Sequence, residues 1–333
     1  MNTNPESMQT SPTLSVVLSF FNEEEVIPEL IRRLRNVLQK ECKEGHLSKY
    51  ELIFVNDAST DRSEEVLISE AKGHDDIKII TMSRNFGVSP CVLAGMEYAK
   101  GDLVVYMDAD LQDPPEVISE MLRVWREGKD IEVVNTVRLS RAGEPFLKLL
   151  IAKIGYKILR YVSNINFLMD AGDFKLLSRR TVNHLIRLKE KLPFVRGLVY
   201  WVGFKQEVVY YNRDSRYGGN TKFLLTNPKV INNFLYSALI SFSDLPLKFT
   251  LLLGAVTTLF AFLFLIYVIV QKFVLAYTTP GWTATLATML ILGGVQLLTM
   301  GVIGLYINAI FWETKNRPNY IVGKTFGFDK TER

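Results

Sequence analysis

Apolar runs and polar stops alternate along the first third of the chain. LSVVLSFF (14–21) is fit for a buried strand. NEEEVIPELIRRLRNVL (22–38) then changes to helical spacing, with Asn22 placed as its cap and three glutamates in its first turn, where acids suit the positive helix end. YELIFVNDAST (50–60) and SEEVLISEAK (63–72) repeat the alternation, as do IKIITMS (77–83) and VSPCVLAGMEYA (88–99), and DLVVYMDAD (102–110) makes a fourth strand. Continuous apolar strands separated by helices predict an α/β fold whose parallel sheet is covered on both faces. Ligands bind such sheets beyond the carboxyl ends of the strands. Asn22, Asp57, Arg84 with Asn85, and Asp108 with Asp110 all fall there.

From Pro145 to Met169 the texture changes, with Lys148, Lys153, Lys157 and Arg160 set among large apolar residues. Two readings stand side by side: a basic amphipathic helix lying on a membrane surface, or a helix packed on its own domain with snorkelling lysines. Tyr217-Gly218-Gly219-Asn220 reads as a flexible loop, and NPKVINNFLYSALISFS (227–243) as an interfacial helix. Two charge-free runs follow, 249–271 and 273–312, separated by Lys272. Each is long enough to cross a ~30 Å hydrocarbon core at about 1.5 Å per residue, and Thr278-Thr279-Pro280-Gly281 supplies a turn between them. Lys222, Lys229 and Lys248 precede the first run and Lys315, Arg317 and Lys324 follow the second, which places both flanks on the cytoplasmic side.

Composition adds boundaries. Of 333 residues 48% are apolar and 22% charged, and much of the apolar excess lies in those two runs. A net charge of +4 is too mild to argue for nucleic acid. Met1 to Pro12 lacks the basic start and apolar middle of a secretory signal. Cys42 and Cys91 fit a reducing compartment and read as small buried hydrophobes. His46, His74 and His184 stand apart in polar surroundings and read as surface residues. Neither a G-x-G-x-x-G turn nor a Gly-Lys-Ser/Thr phosphate loop is present, which argues against a dinucleotide enzyme or an NTPase.

The chemistry concentrates in VVYMDADLQDPPE (104–116), where Asp108, Asp110 and Asp113 crowd a strand's end. Such crowding is costly unless a cation sits there. Side chains two apart share a face, so Asp108 and Asp110 can enter one cleft, with Gln112 beside them and Pro114-Pro115 stopping the strand. Hard oxygen ligands of this kind suit Mg²⁺ or Mn²⁺, ions that usually also coordinate substrate phosphates.

In order along the chain, SVVLSFFNEEEVIPEL, ELIFVNDASTDRS, SRNFGVSPCVLAG, YAKGDLVVYMDADLQDPPE, AGDFKLLSRR, RGLVYWVGF and ETKNRPNYIV resemble the family 2 glycosyltransferases that load a sugar onto a polyisoprenyl phosphate, such as bactoprenol glucosyltransferases and dolichyl-phosphate mannose synthases. The resemblance covers roughly residues 13 to 323. It implies a GT-A fold, a nucleotide-sugar donor with UDP-glucose favoured, a divalent metal, inverting transfer to a lipid phosphate at the cytoplasmic membrane face, and a homo-oligomer, a tetramer in the family. The implied plan is a polar tail (1–12), a GT-A domain (13–226), an interfacial helix (227–248), two membrane helices (249–312) and a cytoplasmic tail (313–333).

Carried over by residue, the resemblance implies that Asp57 meets the nucleobase, with Ser19, Asn22, Glu24, Asp108 and Ala109 also at the nucleotide sugar. Asp108, Asp110 and Gln112 match the metal site, Asp110 and Asp173 the catalytic acids, and Arg84, Arg196, Arg216 and Lys222 the groups that meet donor or acceptor phosphates. A lipid phosphate is already largely ionised at pH 7, so Asp173 is expected to orient rather than to deprotonate. The loop from Arg213 to Lys222, with two glycines and three cations, is expected to close over the donor. Three departures stand out: Ser19 replaces a usual proline, Asn56 replaces the first of a usual Asp pair, and Leu305, Asn308 and Ala309 interrupt a motif of the second span. The alternatives are another donor (GDP-mannose, UDP-GlcNAc or a modified UDP-sugar), a processive polysaccharide synthase, and a non-catalytic accessory subunit.

Overall fold

The computed structural model describes residues 11–139, 168, 171–191, 193–214, 245–273 and 281–328. The four strands expected from the apolar runs form its centre: β1 (Thr13–Phe20), β2 (Lys49–Asn56), β3 (Ile77–Met82) and β4 (Leu103–Asp108). β1 lies between β2 and β4, β3 lies outside β2, and all pair in parallel. Four further strands flank them: β5 (Val133–Arg138), β6 (Ala171–Ser178), β7 (Gln206–Tyr211) and β8 (Val322–Phe326). The order is β7-β5-β6-β4-β1-β2-β3-β8, with β6 antiparallel to β4 and β5, β7 parallel to β5, and β8 antiparallel to β3.

Helix α1 (Ile27–Lys43) buries Ile27, Leu30, Ile31, Leu34, Val37 and Leu38, the spacing of one helical face. With α4 (Val117–Glu127) it covers the sheet face carrying Leu18, Phe54 and Met107. Helix α2 (Ser63–Ala71) joins β2 to β3, and α3 (Val88–Tyr98) packs on β1 and β2. A Cβ on Gly95 of α3 would stand 2.2 Å from Val17 Cγ1, so this close approach needs glycine. Helices α5 (Arg179–Leu185) and α6 (Val195–Trp201) follow β6; Ser178 caps α5, its Oγ accepting from Thr181 N at 3.1 Å.

The start of α1 differs from expectation. Asn22 is not its cap, and the helix begins at Ile27, with Pro28 in the opening turn, where a missing N–H costs nothing. Asn22 instead adopts φ 54° and grips the β2–α2 loop, Thr60 N donating to its Oδ1 at 2.7 Å. Glu23, Glu24 and Glu25 therefore precede the helix rather than occupy its first turn. His46 is also no lone surface residue: its Nδ1 lies 2.9 Å from the buried Glu41 carboxylate and 3.4 Å from Glu44.

The chain divides into two compact units, residues 1–160, 165–224 and 318–333 in the first and 161–164 with 225–317 in the second. The described part of the second is α7 (Leu245–Phe273) and α8 (Trp282–Thr314), which pack on each other. Both are long and apolar enough to cross a membrane, and their large apolar side chains point outward, Leu251 75% and Leu297 72% exposed. Within the segment expected as a cytoplasmic tail, Val322–Phe326 forms β8, which covers the β3 edge. Ser83 N donates to Ile321 O at 2.9 Å, Tyr320 Oη donates to Glu97, and Lys324 pairs with Glu64 at 2.7 Å. Arg216, Lys222, the basic stretch from Pro145, the 217–220 loop and the interfacial helix at 227–243 lie outside the described residues.

Candidate active site

Three non-glycine residues with left-handed backbone sit just past three neighbouring strands: Asn22 (φ 54°) after β1, Ala58 (φ 58°) after β2 and Leu111 (φ 56°) after β4. Asparagine tolerates this conformation, but for Ala and Leu it costs about 1–2 kcal/mol. Such strain persists where surrounding contacts over-determine the backbone, as they do at ligand sites. Ala109 N donates to Ser19 O at 3.3 Å, Asp57 N to Phe20 O at 3.0 Å, and Gln112 N to Asp110 Oδ1 at 3.1 Å. The carboxyl edge is thus held in a bent, fixed form.

Asp108 ends β4, in register with Ser19 of β1. Desolvation, then the charges of Asp173, Asp110 and Asp113, push its carboxyl up to about 8 against the opposing charge of Arg196. A divalent cation would favour the charged form of a carboxylate raised by burial and by neighbouring negative charge. Asp108 and Asp110 are hard anionic ligands and Gln112 adds a carbonyl oxygen, so the donor set fits Mg²⁺ or Mn²⁺. Asp113 does something else. It is 1% exposed and lies 3.4 Å from Arg138 and 3.6 Å from Arg213, and Tyr211 Oη donates to it. Its charge is spent tying the loop after β4 to β5 and β7.

Across the same edge, β6 presents Asp173 and α6 presents Arg196. Arg196 Nε donates to Asp173 Oδ1 at 3.0 Å and Nη2 donates to Oδ2, a two-pronged grip. Desolvation works to raise the Asp173 carboxyl, but Arg196, then Lys175 and Arg138, hold it below the ordinary aspartate value. It is a stable anion and a weak base.

On the β1–β2 side, Asp57 is 6% exposed and accepts from Phe86 N at 2.7 Å and Gly87 N at 2.9 Å. It thereby pins the turn that leads into α3, and burial still raises its carboxyl against those bonds. Asn22 Nδ2 donates to Thr60 Oγ1 at 3.1 Å, and Glu24 Oε2 accepts from Arg62 N at 3.0 Å. Arg84 is exposed, its guanidinium 4.2 Å over the Phe86 ring. Ser19 Oγ and Asn56 Nδ2, at the two departures from the family pattern, are buried with no hydrogen-bond partner among the described residues. Sequence reasoning singled out neither Arg138 nor Lys175. Both carried a signal: Arg138 is a cation at the carboxyl end of a strand, and Lys175 lies two residues from Asp173 on the same face of β6.

The family model for Glycosyl transferase family 2 matches residues 15–186. The chain is 44% identical over 315 residues to an uncharacterized glycosyltransferase of Bacillus subtilis, covering 95% of this chain and 94% of the relative. It is 35% identical over 312 residues to the bactoprenol glucosyl transferase of Shigella phage SfII, covering 94% and 98%. A solved glucosyl-3-phosphoglycerate synthase of Mycobacterium tuberculosis, in complex with Mn²⁺, UDP-glucose and phosphoglyceric acid, is similar at TM-score 0.47 and 18% identity over 68% of this chain and 80% of that one. The chain belongs to glycosyl transferase family 2. It is a glycosyltransferase of that family, with bactoprenol glucosyl transferases among its relatives, built on the expected mostly parallel GT-A sheet with two apolar helices.

Proposed function

We propose that this protein moves a hexose, with inversion, from a nucleoside diphosphate sugar to a polyisoprenyl phosphate at the cytoplasmic membrane face. UDP-glucose is the favoured donor and undecaprenyl phosphate the favoured acceptor, both termini being cytoplasmic. The observation that carries the reading is the charge arrangement at the carboxyl edge: uncompensated Asp108 beside Asp110, and across from them an anion, Asp173, fixed by Arg196. The bactoprenol glucosyl transferases among the relatives supply the substrate class, and α7 and α8 suit a chain that must meet a lipid-anchored acceptor.

In this reading Asp108, Asp110 and Gln112 hold Mg²⁺ or Mn²⁺, which when bound supplies Lewis-acid stabilisation of the departing diphosphate. Asp57, with the polar atoms of Ser19 and Asn56, receives the nucleobase, while Asn22 and Glu24 shape the loop beside it. Arg84, Arg196, Arg216 and Lys222 meet phosphate oxygens, Arg through its planar fork and Lys as a point charge. The acceptor phosphate needs no general base at pH 7. Asp173, a weak base held by Arg196, therefore orients Arg196 and the sugar hydroxyls. A homo-oligomer is part of the proposal.

The test is to incubate the detergent-solubilised protein with Mn²⁺, undecaprenyl phosphate and a panel of labelled UDP- and GDP-sugars. Label appearing in the lipid, from UDP-glucose above the other donors, is expected. Polymer would indicate a processive synthase, and no product an accessory subunit.

A further inference from the structure

Lys175 has no exposed surface, and among the described residues no carboxylate lies within ion-pairing distance of its Nζ. Its ammonium donates to Asn135 Oδ1 at 2.6 Å and stands 4.3 Å over the Tyr200 ring. The chain of contacts continues: Asn135 Nδ2 donates to Gln206 Oε1 at 2.8 Å, and Gln206 Nε2 donates to Val199 O at 3.1 Å. Val199 and Tyr200 belong to α6, the helix that presents Arg196. One buried cation thus joins β6, β5, β7 and the backbone of α6.

A bare structural lysine would be an expensive choice, because an apolar side chain of similar volume serves packing as well without the cost of burying a charge. Its place argues for more. Lys175 shares a face of β6 with Asp173, and its charge is one of those that keep Asp173 ionised. When Arg196 turns part of its fork toward a phosphate, Asp173 loses some of its neutralising partner. A fixed positive charge behind it keeps the carboxylate in place.

We propose that Lys175 is a positioning residue of the transfer reaction: tied through Asn135 and Gln206 to the α6 backbone, its ammonium holds Asp173 and Arg196 in the orientation that receives the acceptor phosphate. The inference rests on the function proposed above. The groups facing the ammonium are Asp173 from its own strand, Tyr106 from β4, Asn135 from β5, and Arg196 and Tyr200 from α6, with Gln206 of β7 bonded behind Asn135. Burial first, and Arg196 next, lower its proton affinity to about 7 against the pull of Asp173. The charge is therefore present below pH 7 and lost above it, so kcat/KM for the acceptor falls as pH rises through this range.

The test compares wild type, Lys175→Met, Lys175→Arg and Gln206→Leu in steady-state transfer from UDP-glucose to undecaprenyl phosphate between pH 6 and 9, with thermal unfolding as the check on folding. Lys175→Met is expected to lose about tenfold or more in kcat/KM for the acceptor, in line with what a misplaced catalytic group costs. Its KM for UDP-glucose stays within about threefold of wild type, a uniform-binding criterion, and the alkaline fall disappears. Lys175→Arg recovers acceptor use with a flat profile. Gln206→Leu, which cuts the tether but leaves the charge, keeps the alkaline fall and loses less. A folded Lys175→Met with wild-type acceptor kinetics overturns the proposal, as does one whose donor and acceptor terms fall together. If Lys175→Met does not fold, Gln206→Leu decides: an acceptor-specific loss supports the proposal and unchanged kinetics overturn it. Absence of transfer by wild type would instead take down the functional reading itself, and this inference with it.

Discussion

The two sides of the sheet's carboxyl edge treat acidic residues in opposite ways. On the parallel side, Asp108 and Asp110 gather at the end of β4 and Asp108 is driven toward protonation by burial and then by the charges of its neighbours. On the mixed side the described aspartates 113 and 173 have cations: Asp113 has Arg138 and Arg213, and Asp173 has Arg196. A row of aspartates is therefore not one site. Charge balance separates the acids proposed to hold a cation from those already paired within the fold.

That contrast can be broken most severely at Asp113. Replacing it by Ala strands Arg138 beside Tyr211, and removing one partner of a buried pair typically costs about 3–5 kcal/mol. Thermal or urea unfolding should register a loss of that size, whereas an exposed acid would barely change it. Asp110→Asn should do the reverse, leaving the fold intact and lowering transfer by roughly 10²–10³, the scale on which lost electrostatic stabilisation is felt. Asp173→Asn is expected to cost about 10², as a mis-seated substrate does, with sugar binding lost and no rise of the rate with pH between 6 and 9, because no proton acceptor has been removed. A base role would instead leave a residual rate that rises with pH.

The smallest effect sharpens the contrast through pH. Asp108 has a folded pKa of about 8, raised above the ordinary aspartate value. Its contribution to metal-free stability is thus complete below about pH 4, the unfolded value, and is lost as pH rises through about 8. Asp173, shifted down, contributes above the ordinary value and loses that contribution as pH falls. The stability of the metal-free wild type relative to Asp108→Asn should accordingly decline from pH 6 to 8, a difference in which the opposite titration of Lys175, whose lowered pKa favours the fold as pH rises, cancels.

The parallel side was legible in the chain because β1 to β4 are buried runs separated by amphipathic helices. The mixed side was not. VVNTVR, AGDFKLLS and QEVVYY place Asn135, Lys175 and Gln206 inside, where a polar network rather than apolar contact satisfies them, and no hydrophobic period betrays such strands. VGKTF is short, mostly exposed and follows the apolar hairpin, so β8 read as a tail. The acids at 108, 110 and 173 were visible from local pattern, but which of them are neutralised depends on Arg138, Arg196 and Arg213, which only the fold brings near. Asn22 misled for a related reason: a residue suited to capping a helix was used to lock two strand ends together.

The account depends most on Asp108 and Asp110 forming the cation site. Electron paramagnetic resonance of Mn²⁺ titrated into the purified protein with UDP present tests this directly, comparing wild type with Asp108→Asn and Asp110→Asn. The account predicts that wild type takes up one equivalent of Mn²⁺ and that each variant, folded as judged by thermal unfolding, releases it to solution. Unchanged Mn²⁺ uptake in both variants would contradict it.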